Sequence, residues 1–129
     1  MRATYIKWVM LVSGVMTCAG FHAAIAPDAA LLANFGQTLK GPLAEMIVRN
    51  WGALIGLVGV SLIFGAFRPG ARRLALLTAV LSKSWFIVLM LTVGRPYLVG
   101  QPALAVAVDA VMVVLFVVHL ASPGREGGE

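Results

Sequence analysis

Two charged residues stand alone in long apolar runs. Lys83, in "TAVLSKSWFIV", is the only charged residue between Leu74 and Gly94, and Asp109 is the only one between Pro102 and Val118. A charge held in hydrocarbon costs a few kcal/mol, and two opposite charges cost less together than apart. Lys83 and Asp109 are therefore expected to pair. Such a pair can act as a lock between helices, anchor the polar group of a ligand, or exchange a proton with it. His22 is the third titratable group within reach of that chemistry. The catalytic candidates are thus Lys83, Asp109 and His22, since ionisable groups in such settings are functional candidates by default.

A second group lies in "PLAEMIVRN". Glu45 and Arg49 are four apart, in the order that favours a helical ion pair. With Asn50 they would either line a polar entrance or form an interfacial pair. The candidate ligand-binding set is Lys83, Asp109, His22, Glu45, Arg49 and Asn50. Cys18 and His22 share a helical face, but two ligands do not make a zinc site. His22 and His119 are roughly 20 Å apart in depth by helix rise, too far to share a metal or a haem. Glycine-rich phosphate loops, CxxC pairs and HExxH are absent, so no metal and no cofactor is implied. Ser82 or Ser84 with His22 and Asp109 lacks a nucleophile elbow, and serines in such helices usually bond their own or a neighbouring backbone.

The elements that must position these residues are apolar helices. Of 129 residues, 60% are hydrophobic and 12% charged, where a soluble domain carries roughly a quarter charged. The chain is too apolar for a soluble core and has room for one domain, residues 1–129. Four spans are expected at about 5–25, 42–67, 74–94 and 102–121. Each is close to the ~20 residues needed to cross a bilayer. The runs are long and do not alternate, so they are helices and not strands of a barrel. The segment Asp28–Phe35 should form a short interfacial helix, capped by Asp28 and stopped by Gly36. "RPGARR" and "GRPYLVGQP" are expected as connections, and residues 122–129 as a flexible polar tail. The expected fold class is an all-α integral membrane protein, a four-transmembrane-helix bundle with a short interfacial helix between spans one and two. Pro27 follows directly on "AIA", so the first span is expected to be retained and not cleaved.

Charge sets the orientation. Arg2, Lys7, Arg68, Arg72, Arg73 and Arg125 fall on one side, and Lys40, Arg49 and Arg95 on the other. The excess places both termini in the cytoplasm of a multi-pass protein of the inner membrane. The basic residues are split among connections, which argues against a nucleic-acid partner. From the expected span ends, Lys83 lies roughly 16 Å and Asp109 roughly 10 Å from the outer side, a mismatch of about 6 Å that a lysine stem largely covers. Gly52, Gly56 and Gly59 form a small-residue stripe that admits another backbone. Gly14, Cys18 and His22 offer the matching face on span one, so the stripe is expected to pack within the bundle.

The stretch "GPLAEMIVRNWGALIGLVGVSLIFGAFRPGARRLALLTAVL", preceded by "PDAALLANFG", resembles the second and third spans of DoxX-like small bacterial membrane proteins. An arginine ahead of a glycine-rich span, a short basic turn and an Ala/Leu-rich span carry the likeness. The resemblance implies a four-helix membrane bundle and no catalytic set. Three functions fit the pattern. The first is binding of an apolar or amphiphilic small molecule, or of a membrane partner subunit or second copy. The second is a small isomerase or quinone-linked oxidoreductase using Lys83, Asp109 and His22 for proton transfer. The third is a transporter protomer, although no internal repeat is visible.

Overall fold

Proline sets three of the helix starts. Pro27, Pro42 and Pro69 each occupy a first turn, where no amide hydrogen is needed and the fixed φ suits the helix. The computed structural model describes residues 2–121, without the side chains of Arg2 and Ala3; the expected tail 122–129, with Arg125, lies outside the described residues. The helices are α1 (Arg2–Thr17), α2 (Phe21–Ile25), α3 (Pro27–Phe35), α4 (Pro42–Phe67), α5 (Pro69–Leu91) and α6 (Gly100–Leu120). Short 3-10 turns cover Cys18–Gly20 and Arg95–Tyr97, and the described residues contain no strand. Four stretches are long and apolar enough to cross a membrane: Thr4–Ile25, Pro42–Phe67, Pro69–Leu91 and Gly100–Leu120.

Several boundaries differ from expectation. "RPGARR" is not a loop. Arg68 alone interrupts the helices, in the extended conformation favoured before proline. The third long helix therefore begins at Pro69 and not at Leu74. It ends at Leu91 and not at Gly94, where the Thr92 hydroxyl donates to Val88 O at 2.7 Å and Gly94 N to Leu89 O at 2.8 Å. The fourth begins at Gly100 and ends at Leu120. Asp28 lies in the first turn of α3 but does not cap it; Ala26 holds the cap position without a side-chain bond. Gly36 does end α3, in the left-handed conformation at φ 70°, which glycine adopts without steric cost.

The glycine stripe packs within the chain. A Cβ placed on Gly52 would lie 2.5 Å from Gly20 O, and one on Gly59 2.7 Å from Gly14 O. The Phe21 ring covers Gly56, whose carbonyl oxygen accepts from Cys18 Sγ at 3.9 Å. The partner face on the first helix is thus Gly14, Cys18, Gly20 and Phe21, and His22 is not part of it. The cause is the 3-10 turn at Cys18–Gly20. Three residues per turn advance about 20° more per residue than an α-helix, so three residues rotate the following side chains by about 60°.

The bundle has a tight end and an open end. At the tight end Lys7 Nζ sits 5.0 Å from the Phe67 ring centre. There Ile6, Met10, Leu62, Leu76 and Phe116 are fully buried in one cluster. Arg72, expected as a connection charge, is buried instead: Nε donates to Gly65 O at 3.1 Å and Nη2 to Ala66 O at 2.9 Å. It satisfies carbonyls that the last turn of α4 leaves without helical donors. At the open end Ala30 and Leu31 of α3 pack on Ala23 and Val48. The Phe35 ring meets Tyr97 edge-on at 5.7 Å, so α3 closes over part of this end.

Gly52→Ala should lower stability by about 1–3 kcal/mol, because the new methyl meets backbone. Gly70→Ala, with open space around its Cβ, should be neutral or stabilising by up to about 1 kcal/mol. Thermal unfolding in detergent checks this, and equal midpoints for the two variants would contradict the packing.

Candidate functional site

Helix boundaries place two charged side chains at nearly one depth. Lys83 is eight residues from the end of α5 at Leu91, and Asp109 nine residues from the start of α6 at Gly100. At 1.5 Å per residue these are about 12 Å and about 14 Å from the open end. The shifted ends of α5 and α6 thus reduce the expected mismatch from about 6 Å to about 2 Å.

Lys83 Nζ donates to Asp109 Oδ1 at 3.0 Å and to Thr17 Oγ1 at 3.0 Å. The Thr17 hydroxyl in turn donates to Ser13 O at 2.7 Å. Thr17 is the last residue of α1, and the 3-10 turn follows it directly. A hydroxyl bonded back to its own helix favours such a departure from regular geometry. The chain of bonds therefore ties α1, α5 and α6 together at one level. The Lys83 and Asp109 side chains are 9% and 19% exposed, so their ion pair is only weakly screened by water. One turn below Thr17 lies Ser13, buried, with its hydroxyl lacking a protein partner among the described residues.

Above this level the helices part. They border a partly open cavity of about 630 Å³ lined by α1 to α6 and the Cys18–Gly20 turn, a volume within the ~300–1,000 Å³ typical of small-molecule sites. Its walls are mainly apolar, with Trp51 and Ile55 on α4, Trp85 and Phe86 on α5, and Ala105 and Val108 on α6. Lys83, Asp109, Thr17 and Ser13 lie together on its tight-end side. Leu54 and Trp85 line the cavity yet are 55% and 63% exposed, so it opens through the side of the bundle.

The other expected site residues lie elsewhere. His22 is exposed and does not line the cavity, so it is not brought to the pair. Arg49 Nε meets Glu45 Oε2 at 3.1 Å, with both side chains about half exposed. Arg49 Nη1 also donates to Ala24 O at 2.8 Å and Ile25 O at 3.3 Å. That guanidinium ties the end of α2 to α4. Glu45 and Arg49 border a separate depression with Asp28 and Lys40, and Asn50 is exposed and lines neither space. Thr17 and Ser13 were not expected in the site. Their signal was two hydroxyls four apart in an apolar run, facing one way on a helix. No family model, curated protein or solved structure matches the chain.

Thr17→Val keeps the shape and removes the oxygen that accepts from Lys83. It should cost about 1–3 kcal/mol. His22→Ala, on an exposed position, should stay within about 0.5 kcal/mol. Equal shifts in unfolding midpoint would show that Thr17 does not hold the lysine.

Proposed function

We propose that the chain is a multi-pass membrane protein whose four-helix bundle binds an apolar or amphiphilic small molecule. The apolar body lies along the walls of the cavity, and the polar group meets Lys83, Asp109 and Thr17. The observation that carries this reading is the cavity itself: a mainly apolar space of about 630 Å³ whose only charged lining residues, among the described residues, are one ion pair. A few placed polar groups in an apolar pocket fix a ligand's orientation. Of the three proton-transfer candidates Lys83 and Asp109 line the cavity and His22 does not; the mainly apolar walls support binding ahead of catalysis. The DoxX-like likeness rests on the sequence pattern alone and is part of the same proposal.

In the same reading the tight end faces the cytoplasm of a bacterial inner membrane, and the cavity opens in the outer half of the bilayer. Lys7, Arg68, Arg72 and Arg73 gather at the tight end, against Lys40, Arg49 and Arg95 at the other, which is the asymmetry of the positive-inside rule. Reporter fusions at the C-terminus should be active only as cytoplasmic reporters; activity of a periplasmic reporter there would reverse this orientation.

Ala105→Trp should fill the cavity from α6. Native mass spectrometry of protein released from nanodiscs should show a small-molecule adduct on the wild type that the variant lacks. Unfolding of the variant should stay cooperative. An identical spectrum for both proteins would remove the support for a ligand in this cavity.

A further inference from the structure

The charge balance of the cavity selects among ligands. Lys83 and Asp109 are its only charged lining residues among the described residues, and they neutralise each other at 3.0 Å. The remaining polar lining side chains carry no charge. A ligand with a charged head would therefore bring an uncompensated charge about 12–14 Å below the end of the helices. Such a charge is costly in a medium of low dielectric constant unless it is paired.

Hydrogen-bonding capacity narrows the class further. An ammonium group has three hydrogens to donate. Two of those on Lys83 are directed at Thr17 and Asp109. The third, and the Oδ2 atom of Asp109, have no protein partner among the described residues. The buried hydroxyl of Ser13 also lacks one. The site thus offers one strong donor and one strong acceptor side by side, with no net charge. A hydroxyl group matches both, and a carbonyl matches the donor. The lateral opening past Leu54 and Trp85 admits an apolar tail from the plane of a bilayer.

We propose, building on the binding function above, that the cavity takes a neutral amphiphile, with an uncharged hydroxyl or carbonyl group on the Lys83–Asp109 pair and an alkyl or ring body along the walls. It discriminates against amphiphiles with anionic or cationic heads. This selectivity belongs to the pair: with Asp109 neutralised, the remaining lysine charge favours an anion.

Trp51 and Trp85 line the cavity and report occupancy by quenching, while Trp8 does not line it. The experiment uses the full chain in phosphatidylcholine nanodiscs on a Trp8→Phe background. Three brominated probes of equal chain length are titrated: 12-bromododecan-1-ol, 12-bromododecane-1-sulfonate and 12-bromododecyltrimethylammonium. Partition into lipid gives quenching that rises linearly, and binding adds a saturable part. The alcohol should show the saturable part at least about tenfold tighter than either charged probe. Asp109→Asn, which keeps the shape and an acceptor for Lys83, should tighten the sulfonate by at least about tenfold. Saturable quenching by the charged probes equal to that by the alcohol, or no gain for the sulfonate in Asp109→Asn, overturns the neutral-ligand inference and leaves the binding function standing. No saturable quenching by any probe overturns both.

Discussion

The ion pair between Lys83 and Asp109 is the constraint to which the rest of the bundle is fitted. Neither charge is tolerable alone among apolar side chains, and each is affordable only with its counterpart at hydrogen-bond distance. The separation of 3.0 Å fixes the relative height of α5 and α6, and the further bond to Thr17 fixes α1 against both. A slip of one residue along any of the three helices would move its polar group by 1.5 Å and rotate it by about 100°. The pair therefore sets register as well as energy. The remaining long helix, α4, contributes no polar group to this level. It is held by close backbone approach to the first helix, through Gly52, Gly56 and Gly59.

These two kinds of contact lead to an uneven bundle. Large side chains such as Phe116, Leu62 and Leu76 are fully buried at the tight end. The single extended residue Arg68 keeps α4 and α5 close there, and Arg72 closes the end of α4. Toward the other end the connections are longer, and α3 packs against α2, α4 and α6. The ion pair lies where packing gives way to space, so both of its members line the cavity. The 3-10 turn after Thr17 contributes to the same arrangement. It lets the first helix place Thr17 on Lys83 while its next turn presents Gly20 and Phe21 to α4.

Much of this was legible in the sequence, for physical reasons that can be named. Lys83 and Asp109 stood out because a charge in an apolar run needs an explanation. The glycines at 52, 56 and 59 stood out because their spacing follows the helical period. Thr17 was less conspicuous, since a threonine in a helix is ordinarily content with its own backbone. The arginines of "RPGARR" suggest a charged connection, which hides the start of α5 at Pro69. The proline rule that located the start of α4 at Pro42 applied equally to Pro69. A regular helix through Cys18 would put His22 on the face of Gly14 and Cys18, and the three-residue change of pitch that turns it away leaves no mark in hydropathy. Glu45 and Arg49 were correctly paired, but the arginine's further bonds to the carbonyls of α2 are tertiary and follow from no local spacing.

The most direct measurement is a double-mutant cycle on the pair, with Lys83→Met and Asp109→Leu, read by equilibrium unfolding in one detergent. Each single variant leaves a buried charge without its partner and should lose about 3–5 kcal/mol, while the double variant, with both charges gone, should recover much of that loss. The coupling should then far exceed about 0.5 kcal/mol. Additive losses within about 0.5 kcal/mol would mean that the two residues do not interact, and the bundle would not be organised around them.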